Sequence, residues 1–135
     1  MATLQQFAQR IRQHARTAER NVGTTVIRTA GAILSTVIPA TPVDTGRARG
    51  NWQVSIANPI MTPRERLDRT GQSTIQEGIG RAQSRRPGQD IHICNNVPYI
   101  GMLNAGSSSQ APAGFVELAV QAAIRNIRGA RIVEG

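Results

Sequence analysis

The sequence predicts an α+β fold on three observations: a long N-terminal run of apolar residues at helical spacing, two short alternating segments, and a second helical pattern near the C-terminus. Helices at both ends of a chain that has two strands between them fit a small antiparallel sheet with helices packed on it. The 135 residues are read as a single domain with a helical arm (1–38), an α+β core (39–127) and a tail (128–135).

From Ala2 to Ile38 the apolar positions Leu4, Phe7, Ile11, Ala15, Ala18, Val22, Val26, Ala30, Ile33 and Val37 recur at intervals of three and four. An unbroken helix of that length reaches about 55 Å at about 1.5 Å per residue, longer than a domain of this size is wide. Part of it is therefore expected to project and pack on a neighbour. Gly23, followed by Thr24 and Thr25, and then Gly31 are the weak points where a kink or a division into two helices is expected, and Pro39 is expected to end the pattern.

Thr41-Pro42-Val43-Asp44-Thr45-Gly46-Arg47 is dense in conformational signals, with Pro42 favouring extended backbone, Asp44 able to cap free amides and Gly46 permitting a tight approach. Trp52, Val54 and Ile56 then alternate with Asn51, Gln53 and Ser55 as in a half-buried strand, with Trp52 as an anchor. Residues 58–72 carry two prolines and the run Arg64-Glu65-Arg66-Leu67-Asp68-Arg69, and read as an exposed loop. Thr74-Ile75-Gln76-Glu77 matches a capping box opening a short middle helix that runs to about Ser84. Ile91, Ile93 and Asn95 alternate with His92 and Cys94 in a second strand, the natural antiparallel partner of 51–57. Gly106-Ser107-Ser108-Ser109-Gln110 reads as a flexible loop. A final helix follows from about Pro112 to Ile127, expected to lie on the sheet and to stop at Gly129.

Aromatic residues are 3% of the chain, so the core must be built from Ile, Val, Leu and Ala. All 16 basic residues are arginine against 8 acidic ones, for a formal charge of +8. A G+C-rich genome would favour arginine over lysine but would not produce the surplus charge, which points to an anionic partner. Arg12, Arg16 and Arg20 form an i, i+4 row that is self-repelling on an isolated helix and suits an acidic partner; a solvated face is the plainer reading. Arg64, Arg66, Arg69, Arg85 and Arg86 are the loop arginines suited to tracking a nucleic-acid backbone. The apolar stretches break before the roughly 20 residues of a bilayer span. One cysteine, Cys94, excludes an internal disulfide and, with no leader-like start, suggests a reducing cytoplasm.

Catalytic chemistry has little to stand on. His92 and Cys94 share a strand face, but His14 is the only other histidine and no carboxylate cluster completes a metal site. Gly78, Gly80 and Gly88 do not form a dinucleotide fingerprint. No cofactor, metal or catalytic residue is expected. Sequence-specific nucleic-acid reading is also disfavoured, since Phe7, Trp52, Tyr99 and Phe115 are the whole aromatic set.

The corner Thr41 to Arg47 followed by Asn51-Trp52, then Pro87-Gly88 ahead of Asn95-Asn96-Val97-Pro98-Tyr99, then Leu103-Asn104-Ala105-Gly106-Ser107 and Ala113-Gly114-Phe115, resembles the neck and tail-completion family of tailed bacteriophages. The resemblance spans roughly residues 39–127. It implies a non-enzymatic virion protein, assembled in the host cytoplasm, that forms a homo-oligomeric ring, by expectation a hexamer, at the head–tail junction. Adjacent connector and tail-terminator or tail proteins would be its neighbours, with nonspecific contact to DNA in the lumen and no membrane. Pro42, Asp44, Thr45, Gly46, Arg47, Trp52 and Tyr99 would form its structural corner. A free-standing nonspecific DNA-binding protein is the alternative, told apart by salt-dependent DNA binding without protein partners.

Overall fold

A computed structural model describes residues 3–134, with side chains through residue 127; Ala2 and the side chains of the 128–135 tail lie outside the described residues. Helix α1 (Leu4–Ala40) is followed by α2 (Arg47–Gly50), β1 (Trp52–Ile56), α3 (Gln72–Gln83), β2 (Ile91–Asn95), α4 (Ile100–Asn104) and α5 (Phe115–Glu134). The two strands pair antiparallel, Trp52 opposite Asn95 and Ile56 opposite Ile91, as the alternation in the sequence predicts. This is the α+β architecture expected.

Helix α1 runs 37 residues without a break, opened by a Thr3–Gln6 capping box. The glycine weak points hold because neighbours fill them: the Arg85 guanidinium lies over Gly23, and Ile79 of α3 packs at Gly31. Thr24 and Thr25 return their hydroxyls to the carbonyls of Arg20 and Asn21, which keeps them inside the helix. Pro39 does not end α1 but sits in its last turn. The terminal carbonyls there find other donors: Thr41 Oγ1 to Val37 O (2.7 Å), Arg49 Nη2 to Pro39 O (2.9 Å) and Arg49 Nε to Thr41 O (2.8 Å).

The division between arm and core falls within α1 rather than at its end. Ala30, Leu34, Val37 and Ile38 are buried with Trp52 and Val54 of β1, Ile75 and Ala82 of α3, and Ala119 of α5. Leu4, Phe7, Ile11 and Val22 are instead 87%, 57%, 54% and 52% exposed. One 18-residue window of α1 has the length and mean hydropathy (1.3) of a membrane span. Of that window 22% is buried, and Leu34, Val37 and Ile38 of α1 are core residues of this fold.

The final helix was expected on the sheet, but the main neighbour of α5 is α1, and it is α3 that covers β1. A two-stranded sheet is too narrow to seat three helices, so the two longest helices pack on one another. The helix also runs through Gly129 to Glu134 instead of stopping at that glycine. The capping box expected at Thr74 does not form. Gly71 (φ 79°) is the N-cap of α3, and Asp68 serves the first turn, accepting from Gly71 N (3.1 Å), Thr74 N (2.9 Å) and Thr74 Oγ1 (2.7 Å). Glu77, the other half of the expected box, faces Arg64 and Arg66.

Candidate assembly surfaces

The corner is held by close backbone approach. At Gly46 (φ 92°) a Cβ would stand 2.6 Å from Arg69 N, and Gly46 O accepts from both Gly50 N (2.9 Å) and Asp68 N (3.0 Å). No side chain with a Cβ fits between residues 46 and 68. Asp44 is exposed and makes no cap to α2, whose N-cap is Gly46; Thr45 Oγ1 accepts from Arg47 N instead (3.3 Å). Trp52 is buried, and its Nε1 donates to Thr41 Oγ1 (2.9 Å), which ties β1 to the end of α1. The Arg47 guanidinium lies 6.0 Å from the Tyr99 ring centre. Pro42, Asp44, Thr45, Arg47 and Tyr99 thereby come together around a cavity of about 400 Å³, which Gln110 also lines.

The loops are less open than their composition suggests. Gln110 clamps Val43 by its backbone, Val43 N to Oε1 and Nε2 to Val43 O, both 2.9 Å. Asn104 accepts from Val116 N (3.0 Å) and donates to the Glu117 carboxylate, fastening the start of α5. Arg64 turns inward to Gly50 O, Trp52 O and the Glu77 carboxylate, while Arg66 pairs with Glu77 at 2.8 Å. Burial would raise the Glu77 carboxyl, but the hydrogen bond and charge of Arg64 and the charge of Arg66 outweigh it and hold the group below its ordinary value. At Asp68 the same contest has the same outcome: burial opposes ionisation, and the Thr74 hydroxyl, the Thr74 and Gly71 amides and the Arg66 charge prevail.

Of the loop arginines, then, Arg64 and Arg66 are engaged within the fold, Arg85 is half-buried with Nε on Gln89 O (2.7 Å), and Arg69 and Arg86 are exposed. Arg12, Arg16 and Arg20 are exposed along the projecting part of α1. The fold joins the two sets: Arg16, Arg20 and Arg85 rim one groove of about 630 Å³, floored by Ala15, Gly23, Ile27 and Pro87. Glu19 Oε1 is buried there without a hydrogen-bond partner. His92 Nε2 lies 3.0 Å from Ala57 O, and among the described residues no three His, Cys, Asp or Glu side chains group as metal ligands.

Arg49 was not singled out by sequence reasoning, yet its guanidinium binds three carbonyls, of Pro39, Thr41 and Arg69. Nothing local marks it, because its partners lie 8 to 20 residues away. No family model, curated protein or solved structure matches the chain.

Proposed function

We propose that this chain is a structural subunit of a phage neck, assembling into a ring at the junction of head and tail around the path of the DNA. The observation that carries the reading is the projecting half of α1, which offers Leu4, Phe7, Ile11 and Val22 to solvent beside arginines on a helix anchored firmly in the core. An apolar stripe of that length on a soluble surface calls for a protein partner. The residues of the family resemblance support the same assignment, since the corner and Tyr99 meet at one cavity at the opposite end of α1 from the arm's tip. Head-to-tail contact between one copy's arm and the next copy's body closes a ring.

Replacing Leu4, Phe7 and Ile11 together with serine tests this by electron microscopy and thermal melting of the purified chain. The unaltered chain forms rings; the variant melts at the same temperature and forms none. A parent chain that stays a monomer and binds duplex DNA with a steep salt dependence would replace this reading with that of a free-standing DNA-binding protein.

A further inference from the structure

The groove between α1 and the end of α3 is built from two separate segments. Arg16, Arg20, Gly23 and Ile27 follow one another at intervals of three and four, so they share one flank of α1. That flank lies about 140° round the helix from the stripe of Leu4, Phe7, Ile11 and Val22. Opposite it, the turn after α3 brings in Arg85 and Pro87. This turn is closed on itself: Arg85 Nε donates to Gln89 O (2.7 Å), Arg86 N to Gln89 Oε1 (2.9 Å) and Gln89 N to Arg86 O (3.1 Å). It holds the Arg85 guanidinium against α1 at Gly23, where a Cβ would stand 3.2 Å from Nη1. Three guanidinium groups thus edge an apolar floor of Ala15, Gly23, Ile27 and Pro87, around a space of about 630 Å³. Among the described residues none of the three has an ion-pair partner. Arg12, the first of the row on α1, stands outside the groove.

We infer that this groove binds an acidic segment of another protein, with carboxylates on Arg16, Arg20 and Arg85 and an apolar side chain on the floor between them. Like charges gathered at one place repel, and a carboxylate reverses the sign. Arginine suits the position, because its guanidinium is weakly hydrated and takes a carboxylate bidentately. The floor argues against a nucleic-acid backbone: sugar and phosphate bring no apolar side chain to cover it, and no aromatic ring among the described residues lines it for a base to stack on. Glu19 argues the same way. Its Oε1 is buried in the groove without a hydrogen-bond partner, and it can accept from a backbone N–H, which a peptide carries and a sugar-phosphate chain does not. A second copy is a poor source of the segment, since the chain carries +8 and its Asp68, Glu77 and Glu117 carboxylates are already engaged within the fold. The contact leaves the stripe of Leu4, Phe7 and Ile11 free, and so stands apart from the one that closes the proposed ring.

Fluorescence anisotropy tests this, with the full chain and a labelled peptide of glutamate and leucine at helical spacing, in near-physiological salt. The parent chain binds that peptide; versions with glutamine for glutamate, or serine for leucine, bind at least about tenfold more weakly. Gly23→Leu fills the floor and changes no charge. Leucine raises helix propensity there, and the one neighbour it meets is the far end of the Arg85 side chain, so the melting temperature is kept. This variant binds the peptide at least about tenfold more weakly, whereas Arg12→Ala, in the row but off the groove, changes affinity by less than about twofold. Equal peptide affinity in Gly23→Leu and the parent overturns the inference and leaves a charged surface with no groove contact. No peptide binding at millimolar concentration also overturns it, as does duplex DNA whose affinity falls in Gly23→Leu as the peptide's does. Rings are scored by electron microscopy on the same samples. They persist in Gly23→Leu, so loss of the groove contact is read apart from loss of the ring; rings that disappear with it would place the groove inside the ring contact and overturn the separate partner.

Discussion

At the residue scale, two neighbours in the corner separate conformation from surface chemistry. Gly46 combines a left-handed φ of 92° with a backbone neighbour 2.6 Å from where a Cβ would be. Gly46→Val is therefore expected to lower stability by about 3 kcal/mol or more, read as a shift in the denaturation midpoint. Asp44→Ala, at an exposed position with no cap, is expected to stay within about 0.5 kcal/mol of the parent. Any loss of assembly in Asp44→Ala then reports on the cavity it borders. The sequence marks both residues as conformational, and only the path of residues 68 and 69 past Gly46 tells them apart.

The two inward-facing carboxylates give the protein a defined response to acid. Asp68 and Glu77 both have folded-state values below their ordinary ones. A depressed carboxylate contributes stability that is fully present above the unfolded value and is lost as pH falls through the folded value. Stability is expected to hold down to about pH 4 and to decline below it as these groups protonate. Asp68→Asn removes the acceptor charge at the first turn of α3 and costs about 0.5–2 kcal/mol near neutral pH. Glu77→Gln leaves Arg64 and Arg66 without a counter-charge. Each variant is expected to flatten the decline below pH 4 relative to the parent; a parallel decline in both variants would assign the acid response to other groups.

At the scale of elements, α3 shows what the sequence discloses and what it withholds. Its two interior glycines look equivalent in sequence, and each lowers helix propensity by about 1 kcal/mol relative to alanine. In the fold, a Cβ on Gly78 would stand 2.7 Å from Leu34 Cδ1 and 3.1 Å from Val54 Cγ2, whereas Gly80 faces open space. Gly80→Ala is expected to stabilise by about 0.5–1 kcal/mol and Gly78→Ala to destabilise by about 1–3 kcal/mol, a difference in sign that thermal melts resolve. Periodicity made α1, α3, both strands and most of α5 legible, because it depends only on near neighbours. The short helices α2 and α4, the Arg49 cap on α1 and the Asp68 cap on α3 were not, since each follows from a segment brought close by the tertiary fold. The same limit explains the loop arginines: Arg64 and Arg66 look as free as Arg69 until Glu77, 11 to 13 residues on, is folded against them.

At the scale of the whole molecule, the surplus charge can be assigned by asking which arginines are available to a partner. Reversal at Arg64 would set a second carboxylate against that of Glu77, with carbonyl oxygens of Gly50 and Trp52 close by, so Arg64→Glu is expected to destabilise the fold itself. Arg69 and Arg86 are exposed, and Arg69→Glu and Arg86→Glu are expected to leave the melting temperature within a degree or so of the parent. If DNA runs past these loops in the assembled ring, Arg69→Ala and Arg86→Ala each remove at most one phosphate contact per subunit, lowering the slope of log affinity against log salt by up to about 0.9 for every subunit that touches the DNA. The groove arginines should behave differently. Arg16, Arg20 and Arg85 converge on an apolar floor, where a carboxylate of an acidic partner would be partly desolvated. Truncating one such pair costs about 2–5 kcal/mol, against a fraction of that for a rim contact. Arg20→Ala is thus expected to weaken capture of an acidic protein partner by at least about 30-fold, while DNA affinity and its salt slope stay unchanged. Equal small losses at Arg12, Arg16 and Arg20, all abolished by moderate salt, would instead make the row a solvated face that steers encounter without forming the contact.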